Sequence, residues 1–142
     1  MLQQLPLAVL LFLGGGWSWV IWGISCRISV SVVGHWFVGY FAHNHGDMDN
    51  EVIGAAVQGH NVKWVSYATM GESWHNNHHS YPGSAIFGIY KNQSDPGWEV
   101  LKVLRKTGWV WGVVYPGDLP ARTNLSPLSA RELKLPAEHD LF

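Results

Sequence analysis

The sequence predicts an all-α fold: an integral-membrane helical hairpin with a cytosolic helical cap, truncated at the N-terminus. Three observations carry that expectation. Charged residues make up only 13% of the 142, against 47% hydrophobic and nine tryptophans, whereas a soluble domain averages about 25% charged. Two apolar runs, Leu5 to Leu13 and Trp17 to Ala42, flank Gly14-Gly15-Gly16. Five of the eight histidines sit in two tight groups in the polar sequence that follows and at its border.

The first run has nine residues, about 14 Å as helix, too short for a hydrocarbon core of about 30 Å. The second has 26, about 39 Å as helix, long enough to cross and protrude into water. The reading adopted is a short first helix and glycine turn over residues 1–16, then a transmembrane helix over 17–42. A single span from Leu5 to Ile24 is the alternative. A cleaved signal peptide fits less well, because Met1-Leu2-Gln3-Gln4 lacks the positive charge such a leader carries. Arg27 is the only charge before His43 and is expected to snorkel or to pair with another helix. All eight other basic residues begin at Lys63, so the side after the long helix is expected to be cytoplasmic.

Residues 43–115 form the expected cap. Asn61 is placed as the cap of a helix from Val62 to about His78, stopped by Pro82-Gly83. Asp95-Pro96 reads as an N-cap followed by proline in the first turn, with Gly108 as the C-cap and Lys102, Arg105 and Lys106 near the end. Val100, Leu101, Val103 and Leu104 give this helix an apolar side to pack on the cap. Residues 116–142 contain prolines and charges without a clear core, and are expected to be loosely ordered.

Composition excludes several functions. A net charge of -1 offers no basic face for nucleic acid. With Cys26 the only cysteine, no internal disulfide can form, and thiolate zinc and iron–sulfur sites are excluded. The triple glycine lacks the following lysine and hydroxyl residue of a phosphate loop.

The chemistry lies in Gly71-Glu72-Ser73-Trp74-His75-Asn76-Asn77-His78-His79. Histidines at i, i+3 and i+4 share one helix face, where neutral imidazoles can converge on iron, zinc, copper or nickel. Glu72 with His75 matches the Glu-x-x-His element of soluble ferritin-like di-iron proteins. Those need two such elements and two further glutamates, so Glu72 is assigned instead as an acceptor behind a ligating histidine. His35, Gly39 and His43 are spaced by four along the long helix. His43 falls at its polar end, within reach of the His75 cluster. His35 sits about 12 Å deeper, and its role as ligand or packing residue stays open. His45 is expected to be exposed, His60 is undecided, and His139 is expected to be solvated.

These residues resemble a known family. The string GESWHNNHH, then Tyr81-Pro82, Ser84-Ala85, Gly88 and Asp95-Pro96-Gly97-Trp98, is similar to the third histidine box and downstream cap of membrane fatty acyl desaturases of the acyl-CoA type. Trp36 to His43 resembles the end of their fourth span. The resemblance implies a di-iron centre ligated by His43, His75, His78 and His79, with His35 and Glu72 in supporting or ligand roles. It implies dioxygen as co-substrate, a fatty acyl thioester or lipid as substrate, membrane lipids around the helices, and electrons from a ferredoxin or cytochrome b5 type donor. The family's HxxxxH and HxxHH boxes are absent, a frequent asparagine is Gly39, and a frequent arginine is Ile86. Four histidines cannot complete two iron spheres, so the isolated chain is expected to be inactive. A lipid hydroxylase of the same metal class and a non-catalytic truncated membrane module are the alternative readings.

Overall fold

The computed structural model describes residues 4–134; His139 lies outside them. Along the chain come α1 (Gln4–Asn44), β1 (Asn50–Val52), a 3₁₀ turn (Lys63–Val65), α2 (His75–Ser80), α3 (Pro96–Lys106), a second 3₁₀ turn (Pro116–Asp118) and β2 (Leu125–Pro127). The described residues are mostly helical, with one long helix among them apolar enough to cross a membrane and a small sheet that the all-α expectation did not include. It divides into two compact units, Met1–Phe37 and Val38–Phe142.

In the first unit α1 is broken at Gly15 and Gly16, the latter at φ 67° and ψ −160°, a backbone conformation that glycine enters without steric cost. The Trp19 ring lies over Gly15, where a Cβ would approach its Cγ to 2.2 Å. Leu11 packs onto Gly23 in the same unit. Arg27 donates to the side chain of Gln4, 23 residues earlier, a separation of about 34 Å along an unbroken helix. The segment therefore doubles back, and the Arg27 charge meets a polar group from the preceding segment. Leu10, Leu13, Trp17 and Trp22 point outward. That is costly in water and natural against hydrocarbon.

The second unit has a small apolar core of Ile86, Ile89, Tyr90, Trp98 and Tyr115. α3 enters it through Trp98, whose ring meets Tyr115 edge-on at 5.6 Å. The start of α3 follows the predicted signal. Pro96 occupies the first turn and the Asp95 carboxylate accepts from the Trp98 N–H. The same carboxylate accepts from the N–H groups of Phe87 and Gly88, so one side chain joins the preceding loop to the helix. Gly108 follows the C-cap Thr107 at φ +76°. The helix's apolar residues divide: Trp98 is buried and Leu101 packs against the core, whereas Val100 and Val103 are exposed.

The expected helix from Val62 to His78 is not continuous. Only Lys63–Val65 and His75–Ser80 are helical, because Met70 and Gly71 take positive φ, 53° and 97°. Gly71 presses against Asp95, where a Cβ would sit 2.4 Å from Oδ1, and the Met70 carbonyl accepts from the Gly97 N–H at 3.2 Å. Docking onto the start of α3 thus overrides local helix propensity. Asn61 does not start a helix at Val62; it is buried, and its Oδ1 accepts instead from the Asn76 N–H in the first turn of α2. β1 and β2 pair antiparallel, Asn50 with Pro127 and Val52 with Leu125, which ties part of the 116–142 segment to the residues before the histidine cluster.

Candidate metal centre

A helix of six residues does not hold itself together in water, so α2 depends on tethers from elsewhere. Asn76 is fully buried. Its Oδ1 accepts from the N–H groups of Asp49 and Asn50, each at 2.9 Å, and its amide donates to the carbonyls of Asn50 and Gly59 at 2.7 and 2.9 Å. Asn77 donates to the Phe87 carbonyl and the Gln93 side chain, and accepts from Asn61. Asn61 in turn accepts from the Asn76 N–H and donates to Asp49. The first turn of α2 is therefore held by a buried amide network rather than by apolar packing, and such a network fixes geometry tightly only when each member is satisfied.

That network aims the histidines. His43 stands on the last turn of α1, within the second unit. His75 and His79 lie one turn apart on α2. Their ring centroids are 4.6 Å (His43–His75), 4.7 Å (His75–His79) and 5.2 Å (His43–His79) apart. The Nε2 atoms of His43 and His75 are separated by 3.1 Å, and those of His75 and His79 by 3.2 Å. One ligand atom from each of the three histidines lies within 4.8 Å of the others. With metal–nitrogen bonds of about 2.1 Å, adjacent positions around one ion lie about 3.0 Å apart in octahedral geometry and about 3.4 Å in tetrahedral geometry. The three residues fit a partial coordination sphere for a single ion.

Their second nitrogens and neighbours support that arrangement. His43 Nδ1 meets the Gln58 carbonyl at 3.0 Å. A carbonyl only accepts, so Nδ1 carries the proton and Nε2 of the neutral ring presents its lone pair to the cluster. Gly59 lets this loop approach α2. A Cβ there would stand 2.7 Å from the His75 carbonyl oxygen and 2.8 Å from His79 Cδ2. Burial above all, with the neighbouring imidazoles and the Arg122 guanidinium adding to it, holds the His79 imidazole below the usual histidine range, which favours the neutral, ligating form.

The predicted residues do not all converge. His78 projects toward Phe87, with ring centroids 5.4 Å apart, and lies outside the three-histidine group. Its Nδ1 is buried without a hydrogen-bond partner, the condition of a nitrogen left for a ligand. His35 is exposed in the first unit, and Glu72 is exposed in the turn before α2; neither belongs to the group. His45 is exposed beside Phe41. His60 keeps a buried, unpartnered Nδ1 while its backbone N–H bonds to the Ala42 carbonyl. Sequence reasoning missed Asn76, Asn77, Asn61, Gln58, Gly59 and Arg122. The one available signal was the pair of amides set between histidines in the H-N-N-H-H string.

The chain is similar to proteins of one known family. A family model described as fatty acid desaturase matches residues 1–89. An sn-2 palmitoyl-lipid 9-desaturase of a Nostoc species is 36% identical over 80% of this chain and 39% of its own length. An sn-1 stearoyl-lipid 9-desaturase of a Synechocystis species is 36% identical over 82% of this chain and 36% of its own length. An acyl-CoA 5-desaturase of Anemone leveillei is 31% identical over 81% and 35%, respectively. The chain thus spans 35–39% of the length of these relatives. No solved structure matches significantly.

Proposed function

The chain belongs to the fatty acid desaturase family, and from that premise we propose that it supplies one part of a histidine-held di-iron centre that inserts a double bond into a fatty acyl chain. The observation that carries the proposal is the convergence of His43, His75 and His79 Nε2 atoms at separations suited to one metal ion. His78 joins the ligand set through its unpartnered ring nitrogen. The remaining ligands come from protein beyond these residues, because two ions need about four to six ligands each. When bound, iron with dioxygen supplies the oxidising power to break unactivated C–H bonds, which side chains lack.

The chain's own residues hold and orient. The Gln58 carbonyl fixes the His43 tautomer, and the buried amides of Asn61, Asn76 and Asn77 set the direction of α2. Burial keeps His79 neutral and ready to ligate. Residues 17–42 cross the bilayer, and the basic sequence after them places residues 43–115 on the cytosolic side. The substrate is an acyl thioester or an acyl lipid, as in the named relatives, and the electrons come from a ferredoxin or cytochrome b5 type donor.

Iron content and lipid products of membranes expressing this chain alone test the proposal. The expected result is no desaturated product, with product appearing only when the missing histidines are supplied. Two tightly bound irons per chain together with desaturated lipid would reject the part-site reading. A product heavier by one oxygen, rather than lighter by two hydrogens, would replace desaturation with hydroxylation.

A further inference from the structure

α2 is tethered by buried amides through Asn76 and Asn77, in its first turn. His79 lies beyond them, next to the last residue, Ser80, and needs support of its own. The structure gives it one from far along the chain. Arg122 Nη1 donates to the carbonyl of His79 at 2.7 Å and to that of Ser80 at 3.0 Å. Carbonyls at a helix C-terminus have no intrahelical partner and carry the negative end of the helix dipole. A half-buried guanidinium answers both needs.

Arg122 is itself held. Leu125–Pro127 pairs with β1, Ser129 donates to the Asp49 carboxylate at 3.1 Å, and Arg131 pairs with that carboxylate at 3.1 Å. Asp49 also accepts from Asn61, whose Oδ1 receives the Asn76 N–H. The segment 122–131 therefore forms a strap that reaches the histidine helix twice, indirectly through Asp49 and directly through Arg122.

We propose that Arg122 is a positioning residue of the metal centre, fixing the C-terminal end of α2 so that His79 meets His43 and His75 around one ion. The inference rests on the metal-site reading above. Arg122 does not touch the ion. It acts through the backbone of a ligand, as the hydrogen-bonded partners behind metal ligands do, and losing such a partner typically lowers metal affinity about 10–100-fold.

The test is titration of the detergent-solubilised full chain with Co(II) alone, followed by the visible d–d absorption, with circular dichroism of the metal-free protein in parallel. Arg122→Gln is expected to lower Co(II) affinity about tenfold or more and to change the d–d band, while metal-free helix content holds. Arg122→Lys keeps the charge and one donor and is expected to recover part of the affinity. Lys91→Gln removes a cation from an exposed pair with Glu132 that has no link to α2, and separates positioning from the general effect of losing a positive charge. Wild-type affinity in Arg122→Gln would overturn the inference, as would an equal loss in Lys91→Gln. If the wild-type chain itself takes up no Co(II), the metal-site reading falls first and this inference with it.

Discussion

Replacing Asn76 with alanine removes the side chain on which α2 depends most. Its amide makes four hydrogen bonds, to Asp49 N–H, Asn50 N–H, the Asn50 carbonyl and the Gly59 carbonyl, at 2.7–2.9 Å. Asp49, Asn50 and Gly59 are themselves buried, so truncation strands two donors and two acceptors away from water. Each stranded group costs about 1–3 kcal/mol, and each lost bond about 1 kcal/mol net. Allowing for local relaxation, the loss is about 3–5 kcal/mol, a large share of the 5–15 kcal/mol typical of a domain. For a unit of roughly 100 residues this lowers the melting midpoint by at least about 10 °C.

Asn76→Asp sharpens the test. Its second oxygen would face the Asn50 and Gly59 carbonyls where the amide now donates, so the carboxyl must hold its proton to fit. The folded pKa then rises above the ordinary value, and the variant loses stability as pH climbs from about 4 through that raised value. Differential scanning fluorimetry in detergent measures both effects. An Asn76→Ala midpoint within about 2 °C of wild type would refute the buried-network account of α2.

Asp95→Ala leaves the N–H groups of Phe87, Gly88 and Trp98 without their acceptor; it is expected to cost about 2–4 kcal/mol, read as a lower midpoint by the same fluorimetry. The lowered His79 pKa means that the unfolded chain binds more protons than the fold does as pH falls below the ordinary 6.5. The contribution of His79 is therefore complete above 6.5 and lost toward acid. Melting midpoints of metal-free protein should fall between pH 7 and 5, and His79→Gln should flatten part of that slope.

The parts of this molecule that were legible in the sequence are those set by local chemistry. Apolar run length marked α1, the triple glycine marked its break, and Asp95-Pro96 marked the start of α3. The i, i+3, i+4 spacing placed His75, His78 and His79 on one helix face, although the helix expected to carry them ran from Val62 and the observed one starts only at His75. What was not legible depends on partners distant in the chain. Local propensity favoured helix through Met70 and Gly71, but packing on Asp95 and Gly97 forced both into positive φ. Helical spacing alone sets His78 beside His75 and His79, whereas the fold turns its ring toward Phe87. Nothing local to Arg122 or Leu125 signals that one reaches the histidine helix and the other pairs with β1; both contacts exist only once the chain returns past α3.

The most direct test of the account is X-ray absorption at the iron edge of the full chain loaded with Fe(II). Imidazole scattering from nitrogens at about 2.1 Å is expected, weakened when His43, His75 or His79 is replaced by alanine and unchanged in His45→Ala. A spectrum that is the same in wild type and in His79→Ala would contradict the three-histidine site.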